Sequence, residues 1–101
     1  MEILFHPLAE AELLSATAWL VEADRQVAAA FVDEIDSALE RLMHFPEAGS
    51  ERADGLRCYV LRKFRYLIIY RLGAVGRRIE VIAVAHASRR PGYWQDRLQA
   101  D

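Results

Sequence analysis

The spacing of hydrophobic residues changes along this chain, and the changes mark its elements. Glu2 to Phe5 is a short apolar run of strand type. Pro7 follows, suited to the first turn of a helix, where its missing N–H is not needed. Leu8 to Glu22 is rich in Ala, Leu and Glu, all good helix formers. Leu13, Leu14, Ala18 and Val21 give that helix an apolar side, and Glu10, Glu12 and Glu22 give it solvated positions. Asp24 suits the N-cap of a second helix. There Val27, Phe31, Ile35, Ala38, Leu39 and Leu42 recur at spacings of three and four, an amphipathic stripe facing a core. Asp33, Glu34, Asp36 and Glu40 lie mainly off that stripe. The short connection predicts an antiparallel helical hairpin. Pro46 ends the second helix, because a residue before proline avoids helical dihedrals. Glu47 to Gly55 then reads as a polar loop.

From Leu56 the pattern becomes that of strands. Leu56 to Arg62 and Tyr66 to Leu72 are rich in β-branched and aromatic residues. Gly73-Ala74-Val75-Gly76 is a turn of hairpin size. Arg77 to His86 alternates, with Ile79, Val81, Ala83 and Ala85 on one face and Arg78, Glu80, Ile82, Val84 and His86 on the other. The link Arg62-Lys63-Phe64-Arg65 has no Gly, Pro or Asn and matches no turn type. A short final helix is expected after Pro91 and Gly92, within residues 89–98. The order predicts one α+β domain over residues 1–101. It has an N-terminal strand, an antiparallel helical hairpin packed on a small, mainly antiparallel β-sheet (β-α-α-β-β-β), and a short C-terminal tail. The sheet face away from the hairpin is where a groove is expected.

Length and composition fit this picture. A chain of 101 residues supports one core. No apolar run approaches the roughly 20 residues of a membrane span. Met1 to Pro7 lacks a basic n-region and a long apolar h-region, so no secretory signal is expected. Cys58 is the lone cysteine and reads as a buried strand residue in a reducing, cytoplasmic compartment.

Charge adds the strongest asymmetry. Residues 1–55 carry twelve carboxylates against three arginines, a net −9, and residues 56–101 carry ten basic side chains against three carboxylates, a net +7. The overall −2 therefore conceals two opposed halves, and a polarised domain of this size meets a charged partner. Arg57, Arg62, Lys63, Arg65, Arg71, Arg77, Arg78, Arg89 and Arg90 are interleaved with Tyr59, Tyr66, Tyr70, Tyr93 and Trp94. Arginine pairs with carboxylate or phosphate and aromatic rings stack on bases, so the set suits RNA or an acidic protein segment equally.

Other chemistry is poorly supported. His6, His44 and His86 are scattered and have no metal-ligand spacing, so no metal or cofactor is expected. There is no phosphate-cradling glycine loop and no nucleophile elbow around any serine. His86 with Arg89, Arg90 and Tyr93 has the residue types of metal-free RNA cleavage. No lysine or glutamate accompanies the group as a base, which favours a packing role for the tail, with Trp94 as an anchor.

Taken in order, several segments resemble the RelE/ParE superfamily of type II toxin–antitoxin toxins, closest to the ParE (plasmid stabilisation) branch. They are the opening strand with His6-Pro7 and Ala9, the helix with Phe31, Ile35 and Leu42, and the turn Phe45-Pro46-x-x-Gly49. Gly55-Leu56-Arg57 and Phe64-Arg65-Tyr66-Leu67-Ile68-Ile69-Tyr70-Arg71 follow. Ile79 to His86 and Arg89-Arg90-Pro91-x-Tyr93-Trp94 complete the set. The resemblance implies a toxin with a cognate antitoxin whose tail folds over it. RelE-like members cleave mRNA in the ribosome, whereas ParE-like members poison DNA gyrase. Leu67, Cys58 and Val60 stand near where the ribonuclease pattern places arginine and lysines, which points to gyrase. Arg57, Arg62, Lys63, Arg65, Arg71, Arg89, Arg90, Tyr93 and Trp94 are the expected partner-binding set. If the chain were a ribonuclease, His86, Arg89, Arg90 and Tyr93 would carry the chemistry. Homodimerisation within a toxin–antitoxin complex is left open.

Overall fold

The structure, a computed structural model, describes residues 2–73 and 77–99. Strand β1 (Glu2–Phe5) leads into α1 (Pro7–Ala23) and, after one residue, α2 (Arg25–His44). Strands β2 (Ser50–Glu51), β3 (Arg57–Val60), β4 (Tyr66–Leu72) and β5 (Arg78–His86) complete a single sheet in the order β1-β5-β4-β3-β2. A short 3-10 helix, Gln95–Gln99, closes the tail where a final helix was expected. β2 to β5 form an antiparallel meander, while β1 pairs parallel with β5, Ile3 opposite Ile79 and Phe5 opposite Val81. The α+β arrangement is the one expected. One strand departs from it: Ser50 and Glu51, inside the expected polar loop, pair with Cys58 and Arg57 to form β2. Ala74, Val75 and Gly76 of the expected turn lie outside the described residues.

Local chemistry sets the helix ends. His6 Nδ1 accepts from the Leu8 N–H at 3.0 Å, and Pro7 occupies the first turn. Asp24 serves both helices: its N–H donates to Leu20 O at 2.7 Å, and its Oδ1 accepts from the N–H groups of Gln26 and Val27. This single residue turns the chain, so the hairpin needs no longer loop.

The core between helices and sheet holds Phe31, Ile35, Ala38 and Leu42 of α2 against Ile68, Tyr70, Ile79, Val81 and Val84. The α2 stripe is as expected except for Val27, which is exposed. In α1 the expected apolar side is wrong. Leu14, Ala18 and Val21 face solvent, and Ala9 and Ala16 are buried with Leu13 and Leu20 beside them. Apolar residues lie all round α1, so periodicity could not select a face. Small side chains face the sheet because α1 packs directly over β5.

The expected alternation along β5 also fails, for a local reason. The pairing of Ile69 with Ala83 and of Tyr70 with Val81 leaves Ile82 as an extra residue, a β-bulge. One extra residue reverses the parity. Ile79, Val81 and Val84 therefore face the helices, while Ile82, Ala83 and Ala85 face the other side with Leu56, Cys58, Ile69 and Trp94. This outer face is a second apolar cluster covered by the tail. A groove of about 450 Å³ remains beside it, lined by Leu56, Cys58, Leu67, Arg89 and Trp94 among others.

The link Arg62-Lys63-Phe64-Arg65 is held from outside its own sequence. The Glu34 carboxylate of α2 accepts from the N–H groups of Arg62 and Lys63, the latter at 3.1 Å. Consecutive N–H groups converging on an anion form a nest, so no turn residue is needed. Glu34→Ala removes that anchor; a loss of about 1 kcal/mol is expected, read as a lower midpoint in thermal unfolding.

Candidate functional site

Past residue Phe5 the β1 strand stops, and the edge of β5 beyond it would be open. The last bond on that side runs from His6 N–H to Val81 O at 2.8 Å. Two side chains take over from there. The Glu12 carboxylate accepts from Val84 N–H at 2.9 Å, and the Arg97 guanidinium donates to Ile82 O at 2.9 Å. Together they satisfy an edge that would otherwise be unpaired. They also bind each other, with Arg97 Nη1 and Nη2 at 3.0 and 2.8 Å from the two Glu12 oxygens. The Tyr93 hydroxyl donates to the same carboxylate at 2.7 Å. Arg89 lies over the Tyr93 ring at 4.1 Å. Helix, strand edge and tail are thereby joined in one clasp.

The clasp fixes protonation. Burial pushes the Glu12 carboxyl up, but the hydrogen bonds from Arg97, Tyr93 and Val84, with the Arg97 charge, outweigh it and hold the group below its ordinary range. Burial first, then the hydrogen bond to Glu12 and its charge, push the Tyr93 phenol up to about 12. The hydrogen bond to Glu12 raises the Arg97 guanidinium further, against burial. Two pH effects follow. A carboxyl lowered on folding stabilises above its unfolded value of about 4.3, and that contribution is lost as pH falls through the folded value. A phenol raised on folding stabilises fully below about 10, and that contribution is lost as pH climbs towards about 12. Burial also raises the Tyr66 and Tyr70 phenols, so tyrosinate absorbance during an alkaline titration should lose one of several late-ionising phenols, the one near 12, in Tyr93→Phe.

His86 stands at the end of β5, with its Nδ1 2.7 Å from Ser88 Oγ and accepting from the Ser88 N–H at 3.0 Å. Its ring meets Tyr66 edge-on at 5.1 Å. Arg89 and Arg90 follow, both exposed. Thus His86, Arg89 and Tyr93 are brought near one another, and Glu12 reaches the group from α1. The expectation that no glutamate accompanies it is corrected, as is the expectation that Glu12 is solvated. Trp94 is buried as an anchor, and its indole N–H has no partner among the described residues.

The basic residues do not form one patch. Arg57 donates to the carbonyls of Gly49 at 2.7 Å and Glu47 at 3.2 Å and pairs with Glu51, buttressing the loop beneath β2. Arg71 and Arg78 both pair with Glu80, at 2.6 and 3.6 Å. Arg62, Lys63, Arg65, Arg89 and Arg90 are exposed and gather at the other end of the sheet, where β3 ends, β4 begins and β5 ends. The Ala87 N–H donates to Arg65 O at 2.7 Å and ties those loops together. None of these five cations is in an ion pair among the described residues. Sequence reasoning missed Glu12, Arg97 and Glu34. Glu12 carried a signal, since it lies three residues after Ala9 and four before Ala16, inside the buried stripe of α1.

Among the described residues no group of His, Cys, Asp and Glu is placed to hold a metal ion, and no helix is long and apolar enough to cross a membrane. Comparison with known proteins agrees with the fold. A solved structure described as a chromosomal ParDE toxin–antitoxin system from P. aeruginosa superposes with a TM-score of 0.68 at 19% identity, over 85% of this chain and 95% of that one. No curated protein matches the sequence. The family model for the ParE toxin of the type II toxin–antitoxin system parDE matches residues 3–91. With its sequence matched over nearly its whole length and its helical hairpin on a five-stranded sheet, the chain belongs to the ParE toxin family.

Proposed function

We propose that this ParE-type toxin inhibits DNA gyrase by binding, without chemistry of its own, and that a cognate antitoxin silences it. The observation that carries the reading, beside the family, is the commitment of Tyr93 to structure. Tyr93 donates to Glu12 and ionises only near 12, so it offers no base at neutral pH. Cys58 is buried, Val60 is exposed and Leu67 packs on the outer sheet face, so none of the three supplies a cation where the ribonuclease pattern has one. An antitoxin has apolar surface to cover: the hairpin leaves Leu14, Val21, Val27 and Val32 exposed, suited to an amphipathic segment that folds on binding.

The test is supercoiling by purified gyrase. Inhibition by the folded chain, relieved by an equimolar amount of the protein encoded beside it, is the expected result. Toe-printing of translated mRNA should show no new cleavage at stalled codons; cleavage there would replace this reading with the RelE-like one. A folded chain inert in both assays that still binds its antitoxin would be an inactive toxin fold.

A further inference from the structure

A groove between α1 and β5 adjoins the Glu12–Arg97 clasp. Its volume is about 460 Å³; Leu8, Ser15 and Trp19 of α1 line it with Tyr66, His86 and Arg89, and the Glu12 carboxylate, already paired with Arg97, lies in its wall. Trp19 is 71% exposed, the most exposed large hydrophobic residue of the described chain. Arg89 lines the groove, and Arg65 and Arg90 are exposed at the same end of the sheet. Arg62 and Lys63 are at the same end but share a cavity with Asp33 and Glu34, which face them from α2. Among the described residues Arg65, Arg89 and Arg90 are in no ion pair, and the carboxylate that shares the groove with Arg89, Glu12, is neutralised by Arg97.

We propose that this groove binds an unpaired nucleic-acid strand, a base stacking on Trp19 and neighbouring phosphates meeting Arg65, Arg89 and Arg90. Two features favour a phosphodiester strand over an acidic peptide. First, a peptide would seek backbone partners, and the N–H groups of these loops are already taken. Those of Arg62 and Lys63 go to Glu34, that of Leu61 to Tyr66 O, that of Ala87 to Arg65 O, and those of Ser88 and Arg89 to His86. What remains on offer is side-chain charge and an exposed ring, the combination that single-strand binders use. Second, Arg89 is held in place by stacking on Tyr93, which Glu12 fixes in turn, so one phosphate contact is preorganised. The proposal adds a nucleic-acid contact to the gyrase reading and does not depend on it, because its test contains no gyrase.

Fluorescence anisotropy with a labelled single-stranded DNA of about 20 nucleotides reads the proposal directly. Three phosphate contacts predict a slope of log K against log salt near −2, from about −0.7 per contact on single strands. Each of Arg65→Gln, Arg89→Gln and Arg90→Gln should lessen the slope by roughly 0.7. Trp19→Ala should weaken binding by roughly five- to hundred-fold while thermal unfolding, followed in parallel, stays unchanged. The same sequence as RNA separates a strand opened in DNA from a message as the source of the ligand. Absence of binding at low salt overturns the proposal. So does duplex DNA bound as tightly as the single strand with no effect of Trp19→Ala, or poly-glutamate displacing the labelled strand at equal charge.

Discussion

Glu12→Ala should lower the thermal unfolding midpoint by roughly 12–24 °C, the equivalent of about 3 kcal/mol for a domain of this size. The reason lies in what the carboxylate holds. Its removal leaves Arg97 a cation that is only 10% exposed without its counter-charge, deprives the Tyr93 hydroxyl of its acceptor, and strands the Val84 N–H at the sheet edge. Removing one partner of a buried pair costs more than the pair is worth, because the survivor stays desolvated. Arg97→Ala should therefore add little in the Glu12→Ala background, although it is costly alone. A double-mutant cycle by calorimetry measures this coupling, and additive losses would mean that the two residues act separately. Glu12→Gln should keep part of the stability while abolishing the acid dependence that the lowered Glu12 carboxyl confers.

Tyr70→Phe is the second large effect expected. Tyr70 is fully buried, and its hydroxyl donates to Pro46 O at 2.7 Å and accepts from Gly49 N–H at 2.9 Å. It is the bolt that closes the turn after α2 onto the sheet. Loss of both bonds leaves a buried N–H and a carbonyl unsatisfied, costing about 2–3 kcal/mol. The same contact explains the glycine of the Phe45-Pro46-x-x-Gly49 segment. A Cβ there would lie 2.8 Å from the Tyr70 ring and hydroxyl and 3.0 Å from Cys58 O, backbone that cannot easily give way. Gly49→Ala should consequently destabilise as well, and chemical denaturation of both variants checks the pair. A tolerated alanine would show that this turn can slide without losing the Tyr70 anchor.

Much of the architecture is legible in the sequence because periodicity and punctuation agree. Pro7, Asp24 and Pro46 mark the hairpin, and the α2 stripe from Phe31 to Leu42 selects its buried face. Three things were hidden, each because distant residues decide it. The bulge at Ile82 depends on pairing with β4 and leaves no local mark. The nest at Arg62 and Lys63 depends on Glu34, some thirty residues earlier, so the link shows no turn chemistry of its own. The Glu12–Arg97 pair spans 85 positions, and a carboxylate on a helix reads as solvated until the tail is placed beside it. For the candidate site, the sequence singled out His86, Arg89, Arg90 and Tyr93, and the fold brings His86, Arg89 and Tyr93 near one another. The sequence could not show that Arg57, Arg71 and Arg78 are engaged in ion pairs, while Arg62, Lys63, Arg65, Arg89 and Arg90 face outward.

The parallel pairing of β1 with β5 also governs when this protein can finish folding. Its first strand has no neighbour until the fifth is made, and the last fastening waits for residue 97. Such sequence-distant closures are slow relative to the local contacts of a helical hairpin. A ribosome that has not yet released residue 97 thus carries an incomplete sheet.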